Sequence, residues 1–477
     1  MLRKRDCEQM TVEDFIGPIG GKLSAENRWV KMAKVMPWDL VEEIYAKSFK
    51  NDNTEGRPPI PSRMAYGALY IKENENFPQR TTMLHISENV YMQYFLGLTE
   101  FHPELLFDSS MLTYIAARFS KDDMKRINEE LYRRTRPPKD EPPGDEPPAG
   151  GGGGNKGKMI LDATVAPADI RYPTDISLLD ECREGTEKII DDVWSKTGRK
   201  GHKTAYNRKK ARKGYLRIAK QRKPRRKQLR QAVREQLECV EKNVDTLEDI
   251  LSKIGLEAFG LSNWARLLTI SEIAEQQRFH YDNPGEPVPN RIVSVSQPHI
   301  RPIVRGKAGS EVEFGQKISF SVVDGFTFIE EQSWNNFAEG VTLIASAERY
   351  RERHGFYPEA ILADKTYRNR DNLDFCKKNG IRLSGPRLGR PKQSEIESDR
   401  DQAYRDSCDR NTVEGRIGID KRRYGLDLIY SRLTNTGEVE AAMNVLCMNV
   451  AHVLRVLLRL LLRRLDLVDF FACRALS

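Results

Sequence analysis

A proline- and glycine-rich segment near the end of the first third of the sequence limits what this chain can fold into. It begins with Arg136-Pro-Pro-Lys-Asp-Glu-Pro-Pro and ends with the glycine run Gly150 to Gly154. Paired prolines favour an extended polyproline II conformation, a glycine run is flexible, and neither can bury a hydrophobic core. We therefore predict a flexible linker at residues 135–157, which separates a domain at residues 1–134 from the rest of the 477-residue chain.

The sequence before the linker is typical of several short helices joined by abrupt turns. Helix starts are indicated where Pro37 precedes Trp38 and where Pro61 precedes Ser62, and Gly97 is placed to end a helix. Short helices in close succession are compatible with a DNA-binding domain of the helix-turn-helix type. The same pattern is equally compatible with an all-helical packing or dimerisation domain. The predicted fold of this part is all-α under both interpretations.

After the linker, strand and helix patterns alternate. A short apolar strand is predicted from Lys158, and a hairpin turn is predicted at Asp324-Gly325 between two strand patterns. This order is typical of an α/β fold with a mixed sheet flanked by helices. We predict an α/β domain at residues 158–440, a helical insertion within it at about residues 176–285, and a C-terminal helix at residues 441–477.

The predicted insertion contains the most basic part of the chain. Between Lys196 and Arg230 about half of the residues are Lys or Arg, with two tyrosines interleaved and no Asp or Glu. A run of charge is most often a solvated surface, but a basic run with aromatics and no compensating acid favours contact with nucleic-acid phosphates. The formal net charge of +9 agrees with a polyanionic partner. The residues predicted to contact DNA are Arg208, Lys209, Lys210, Arg212, Lys213, Arg222, Lys223, Arg225, Arg226 and Lys227.

An apolar seam follows the basic run. Hydrophobic residues recur in alternating steps of four and three from Val233 to Ile254. This spacing predicts a helix that needs a partner helix along one side. The partner can belong to the same chain or to a second copy, and the sequence leaves both possibilities open.

Cysteine spacing and the pattern of the apolar C-terminal segment disfavour two classes of protein. The seven cysteines are scattered, without a Cys-x-x-Cys pair or a histidine cluster beside them. They favour reduced intracellular thiols over a disulfide framework or a zinc site. The apolar stretch from Val453 to Leu467 is interrupted by four arginines, so we do not expect it to span a bilayer.

Three acidic residues lie in contexts that indicate a metal site. Asp162 and Asp364 each follow a short apolar strand pattern, and ligands gather at the carboxyl edge of an open α/β sheet. Glu414 lies in a basic helix pattern, with Arg410 four residues before it and Lys421 seven after it, so that all three share one helix face. If the two strands are neighbours, the carboxylates converge and require bound cations. Oxygen ligands without His or Cys favour Mg²⁺ or Mn²⁺. Taken alone, the helix is more typical of a surface helix laced with i,i+4 ion pairs than of a metal site.

These features resemble the DDE transposases of bacterial insertion sequences, in the subgroup with a ribonuclease H-like catalytic domain. The resemblance covers nearly the whole chain. The segments that carry it are Gly56-Arg-Pro-Pro, Phe107-Asp-Ser-Ser, Leu161 to Ile170, Gln297 to Lys307, Val312 to Lys317, Ala363 to Tyr367 and Arg410 to Gly425.

Two positions depart from the family pattern. The family signature consists of a tyrosine, an arginine, the glutamate and a lysine, and Arg410, Glu414 and Lys421 match its last three places. Ser407 stands at the place of the tyrosine, and Thr366 stands where a glycine often follows the second aspartate.

The resemblance implies a fold, an activity and a set of site residues. It implies an all-α DNA-binding domain at residues 1–134, followed by an α/β ribonuclease H-like catalytic domain with a helical insertion. Asp162, Asp364 and Glu414 would be the catalytic triad and would bind two Mg²⁺ or Mn²⁺ ions, with Arg410 and Lys421 holding phosphates. The implied reaction is strand cleavage at the ends of the element and strand transfer into target DNA.

The same resemblance implies the partners and the location. The expected partner is double-stranded DNA, both the ends of the element and the target. Because two ends must be brought together, a homodimer or a larger synaptic assembly is expected. The expected location is the bacterial cytoplasm, in association with the nucleoid and not with a membrane.

Two other functions share parts of this pattern. A catalytically decayed transposase that acts as a DNA-binding repressor agrees with the change at Ser407, although such a protein has no need of three carboxylates near a polyanion. A ribonuclease H-like nuclease of DNA repair would share the metal site but would have less use for a separate end-reading domain. Inverted repeats just outside the reading frame would distinguish a transposase from both.

Overall fold

The computed structural model describes most of the chain, in ranges with gaps between them. These are residues 11, 13–17, 21–49, 58–136, 155–198, 202–307, 310–385 and 396–464. Most of the predicted linker, the start of the motif at Gly56 and the last residues of the chain lie outside these ranges. The chain divides into unit 1 (Met1–Pro167, Gln316–Ser333 and Phe337–Ser477) and unit 2 (Ala168–Gly315 and Trp334–Asn336).

The sequence before the linker folds into short helices, as its turn patterns predict. They are α1 (Arg28–Val35), α2 (Trp38–Lys47), α3 (Ser62–Glu75), α4 (Gln79–Glu88), α5 (Val90–Phe95), α6 (Met111–Ala116) and α7 (Lys121–Thr135). The predicted helix starts at Trp38 and Ser62 are confirmed, each directly after a proline. Proline suits this place because it has no N–H group to leave unpaired at a helix start.

The remaining elements alternate between strands and helices. The strands are β1 (Lys158–Pro167), β2 (Arg301–Lys307), β3 (Ser310–Val323), β4 (Phe326–Ser333), β5 (Ala360–Leu362) and β6 (Arg382–Leu383). The helices are α8 (Asp175–Val193), α9 (Arg208–Ala219), α10 (Arg226–Phe259), α11 (Leu261–Asp282), α12 (Thr342–His354), α13 (Arg370–Lys378), α14 (Ile396–Tyr424) and α15 (Thr434–Arg464).

A mixed sheet lies at the centre of unit 1. In this unit β6, β5, β1, β3 and β4 are successive hydrogen-bonded neighbours. β1, β5 and β6 run parallel, whereas β3 and β4 form an antiparallel pair. The predicted α/β fold with a mixed sheet and flanking helices is thus confirmed at this level.

One hydrophobic core joins the helices before the linker to the sheet and to α15. Val30, Tyr66 and Leu131 from those helices, Phe328 from β4 and Leu446 from α15 are all buried in it. α15 contacts α1, α3, α6, α7 and β4. The N-terminal helices and the sheet therefore belong to the same compact unit. The predicted domain boundaries lie at the predicted linker instead, and they stay a prediction.

Helix α15 is apolar because it is a core helix of unit 1. By length and composition its segment Thr434–Leu460 could cross a membrane, but 61% of the most apolar window is buried inside the structure. Its Asn449 Nδ2 donates hydrogen bonds to Asn128 Oδ1 at 2.8 Å and to the Thr327 carbonyl at 2.7 Å. Buried core helices meet the same criteria of length and composition, and burial of its apolar residues in the core of unit 1 accounts for the sequence of α15.

Unit 2 is built around α8, α9, α10 and α11. The seam residues Val233, Leu237, Val240, Val244 and Leu247 are buried in one cluster with apolar residues of α8 and α11. The partner helices of the seam therefore belong to the same chain. The alternative, in which the seam faces a second copy, is wrong for these residues because contacts within unit 2 already bury them.

The predicted hairpin turn joins β3 and β4. Asp324 and Gly325 have φ angles of 51° and 76°, the left-handed conformation that a two-residue hairpin turn requires. The ring of His452 packs on this turn, since a Cβ atom on Gly325 would lie 2.6 Å from His452 Cε1. Arg416 Nη2 donates to Nδ1 of the same ring at 2.7 Å. Glycine is therefore required here by its φ angle and by the close approach of His452.

We expect Gly325→Ala to destabilise the protein more than Gly355→Ala does. Both glycines have positive φ, but nothing lies within 4 Å of a Cβ atom at Gly355. The left-handed conformation costs about 1–2 kcal/mol at either site, and the clash with His452 adds about 1–3 kcal/mol at Gly325 alone. Urea unfolding of the two variants measures this difference. Equal losses would contradict the packing of His452 on the turn.

Candidate active site

Parallel pairing of β1 with β5 places two of the predicted acids at the same distance beyond the last paired residues. The last register pair is Ile160 with Leu362, and Asp162 and Asp364 each lie two residues beyond it. Equal offsets on neighbouring parallel strands bring residues to the same level of the sheet. The expectation that the two strands are neighbours is confirmed.

Asp162 lies in the middle of β1. The strand continues to Pro167, and Asp162 is a partly exposed position between the buried residues Leu161 and Ala163. The prediction that Asp162 ends its strand is therefore wrong. The strand continues because Thr164 and the apolar residues after it keep the extended, buried pattern.

Asp364 follows β5 closely and caps a short 3-10 helix, Lys365–Tyr367. Its Oδ1 accepts a hydrogen bond from the Lys365 N–H at 2.7 Å. The side chain is 50% exposed. The prediction that this acid follows the end of a short strand is confirmed, and its carboxylate keeps contact with solvent.

The helix that carries Glu414 is α14, which packs on the sheet. Val413 is buried in a small cluster that contains Ile160 of β1 and Leu362 of β5. Glu414 is the next residue and its side chain is exposed. The contact of Val413 therefore brings Glu414 to the two strands that lead to Asp162 and Asp364.

The two cations of α14 contact this region differently. Arg410 Nη1 lies 3.9 Å from Asp364 Oδ1. Lys421 Nζ donates a hydrogen bond to the Val165 carbonyl of β1 at 2.8 Å. The predicted arrangement of Arg410, Glu414 and Lys421 on one helix agrees with these contacts, which link α14 to both strands.

Burial and several neighbouring charges act on the pKa of Asp162. Burial raises the pKa of Asp162, and the nearby carboxylates of Glu339 and Glu414 raise it further. The Ala163 N–H, which donates to Asp162 Oδ1 at 2.9 Å, and the guanidinium of Arg410 act in the opposite direction and lower this pKa. The environment of Asp162 thus disfavours a carboxylate without a cation nearby.

Glu339 is an acid of this region that the sequence analysis missed. It begins a short 3-10 helix, Glu339–Val341, and its Oε1 lies 3.2 Å from Lys317 Nζ on β3. The next residue packs against the turn after Asp364, since a Cβ atom on Gly340 would lie 2.8 Å from the Thr366 carbonyl oxygen. The signal in the sequence is a lysine inside a predicted strand, because a buried lysine needs an acidic partner. The partner itself is set by tertiary contacts.

The three predicted acids are ligands of the chemical type that Mg²⁺ and Mn²⁺ prefer. Asp162, Asp364 and Glu414 offer carboxylate oxygens, and the coupled negative charge around Asp162 favours a divalent cation. The side-chain positions do not form a complete coordination group. Within the described ranges of the chain, no three His, Cys, Asp or Glu side chains are close enough together to hold a metal ion.

The basic residues of unit 2 fall into two groups. Arg208 Nη1 lies 2.8 Å from Asp191 of α8, and Lys203 Nζ lies 2.9 Å from the same carboxylate. The expectation that no acid compensates this run is wrong for these two residues, because α8 supplies the acid from outside the run. The other predicted DNA contacts are exposed, and they are Lys209, Lys210, Arg212, Lys213, Arg222, Lys223, Arg225, Arg226 and Lys227.

We expect Asp162→Asn to raise the free energy of unfolding at neutral pH in metal-free buffer. The pKa of Asp162 is higher in the folded state, so its contribution to stability is complete below the unfolded-state pKa and is lost as pH rises through the folded-state pKa. Asparagine does not ionise, so the variant keeps the stability that the native protein loses when Asp162 ionises. The difference in free energy of unfolding between the variant and the native protein therefore grows as pH rises through the acidic range and vanishes at low pH. Urea unfolding at a series of pH values measures it.

Asp364→Asn is the matched control for this measurement. Its carboxylate is half exposed, and asparagine can keep the capping hydrogen bond to Lys365. An equal gain in Asp364→Asn, or no gain in Asp162→Asn, would show that burial of Asp162 does not raise its pKa in the folded protein.

Two family models match the chain. One is described as a transposase DDE domain and matches residues 361–451, which include Asp364 and Glu414. The other is described as a transposase domain (DUF772) and matches residues 18–118. No curated protein and no solved structure matches the chain. A DDE domain implies a ribonuclease H-like fold, with which the mixed sheet agrees. The two matches, each over about a fifth of the chain, indicate an insertion-sequence transposase of the DDE type.

Proposed function

We propose that this transposase cleaves DNA at the ends of its insertion sequence and joins those ends to target DNA by metal-dependent phosphoryl transfer. The observation that carries the proposal is the equal offset of Asp162 and Asp364 from the last paired residues of β1 and β5, with the helix of Glu414 packed on the same strands. Bound Mg²⁺ or Mn²⁺, two ions in the proposal, would supply activation of the attacking oxygen and stabilisation of the leaving oxygen.

Asp162, Asp364 and Glu414 are the proposed metal ligands. Asp162 is held rigidly within β1, whereas Asp364 caps a turn and Glu414 projects from an exposed position of α14. Two of the three can therefore adjust their side chains when a cation arrives. The proposal requires this adjustment, because the described side chains do not form a coordination group as they stand.

Arg410 and Lys421 are the proposed phosphate contacts within the site. The Lys421 ammonium is anchored on the Val165 carbonyl, so a phosphate bound to it is oriented relative to β1. A guanidinium such as that of Arg410 can bind a phosphate through two parallel hydrogen bonds. Both side chains would offset the negative charge that develops during transfer.

DNA recognition away from the site is assigned to two regions. The helices of the domain proposed at residues 1–134 would read the ends of the element, and the match at residues 18–118 to a transposase domain supports a role in transposition. The exposed cations of α9 and of the loop before α10 would contact phosphates of flanking or target DNA. Joining two ends requires at least a homodimer, and the reaction would take place in the cytoplasm beside the nucleoid.

We expect Asp162→Asn, Asp364→Asn and Glu414→Gln each to reduce strand cleavage by about a hundredfold or more. The substrate is a labelled duplex with the DNA that flanks this gene, incubated with Mg²⁺. Each variant removes a proposed ligand charge while it keeps the shape of the side chain, so circular dichroism and thermal unfolding should show a folded protein.

Asp324→Asn is the matched control for cleavage. Asp324 lies in the hairpin turn with its side chain 69% exposed, and asparagine tolerates its positive φ. This variant should cleave like the native protein. Undiminished cleavage by Asp364→Asn would show that the triad is wrongly assigned.

A salt titration tests the basic surface of unit 2. DNA affinity falls as salt rises, and we expect this fall to be shallower in the double variant Lys209→Gln with Lys213→Gln. The slope of log affinity against log salt should decrease in magnitude by up to about 0.9 for each phosphate that is no longer neutralised. The control is Lys203→Gln with Arg208→Gln, which removes the same charge from residues paired with Asp191. Fluorescence anisotropy with a labelled duplex measures both. Equal slopes in the two double variants would argue against phosphate contacts by Lys209 and Lys213.

A further inference from the structure

We propose that Arg410 is a built-in counter-ion of the carboxylate site, which competes with the divalent cation until DNA draws the guanidinium away. The inference rests on the proposed function, because it assumes that Asp162, Asp364 and Glu414 bind the metal. It adds a second role to Arg410, which in the absence of DNA has carboxylates and not phosphates as its partners.

The position of Arg410 is the first observation. It lies one helical turn before Glu414 on α14, and its Nη1 is 3.9 Å from Asp364 Oδ1. One cationic side chain thus lies beside one proposed metal ligand and on the same helix as another, one turn away.

The incomplete bonding of Arg410 is the second observation. Its Nε is buried and has no hydrogen-bond partner, and the 3.9 Å contact with Asp364 exceeds hydrogen-bond length. A buried polar N–H without a partner is costly, so this position of the guanidinium is not its most stable one when a better acceptor is present. A DNA phosphate is such an acceptor, because it can take two parallel hydrogen bonds.

A competition follows from these positions. The side chains of Arg410 and Asp364 are 28% and 50% exposed, and ion pairs that are exposed to this extent are weak. Arg410 should therefore weaken metal binding in the absence of DNA by roughly two- to fivefold. When a phosphate binds Arg410 this competition ends, so DNA and the metal favour each other's binding.

The test is a Mn²⁺ titration of DNA-free protein, followed by electron paramagnetic resonance of the free ion. We expect Arg410→Met to bind Mn²⁺ roughly two- to fivefold more tightly than the native protein. Arg422→Met is the matched control, because Arg422 is exposed on the same helix and its Nε donates to the Gly418 carbonyl. The control loses the same charge and should change the affinity less. Thermal unfolding checks that each variant is folded.

The outcomes separate this inference from the proposed function. Unchanged or weaker Mn²⁺ binding in Arg410→Met, or an equal gain in Arg422→Met, would overturn the counter-ion role. If Asp162→Asn binds Mn²⁺ as tightly as the native protein does, the proposed metal site itself fails, whatever Arg410 does. A second titration with a short duplex present should remove the difference between the native protein and Arg410→Met, and a difference that persists in full would also overturn the inference.

Discussion

The parallel pairing of β1 with β5 is the constraint on which the rest of the site depends. Because Ile160 is paired with Leu362, the aspartates two residues further along both strands reach the same level. β5 is only three residues long, so the chain turns away at Asp364 and the carboxylate caps the turn. A shift of this register by one residue would move Asp162 to the opposite face of the sheet and separate the pair.

The second constraint on unit 1 is the pairing of its acids with nearby cations. The carboxylates of Glu339 and Glu414 act on that of Asp162, which is partly buried in β1. Cations from two elements offset them, with Lys317 beside Glu339 and Arg410 beside Asp364. The second pair has the longer contact and the more exposed acid. Asp364 is therefore the acid whose partner can be exchanged most readily.

Much of the local structure can be read from the sequence, because it depends on short-range chemistry. The turn at Asp324-Gly325 follows from the preference of a two-residue hairpin for positive φ, and the helix starts at Trp38 and Ser62 follow from the prolines before them. The acidic positions of Asp364 and Glu414 were recognisable from their strand and helix patterns.

The features that sequence reasoning missed all depend on contacts between distant segments. The middle position of Asp162 follows from burial of the residues after it, of which Ala166 lies in the core of unit 1. Glu339 reaches the site through the packing of its turn on the turn after Asp364. Arg208 is neutralised by Asp191 of a helix that precedes the basic run. Local patterns give the elements, whereas partners of charged groups are set by tertiary structure.

Burial of α15 has a consequence for how such a chain can be rearranged during evolution. The helix is as apolar as a membrane span, and helices from before the linker cover much of its surface. A DDE region separated from those helices would expose that surface and aggregate. We therefore expect the two regions matched by separate family models to be inherited together. Unit 2, which closes its own hydrophobic core, is the part that recombination could exchange as a module.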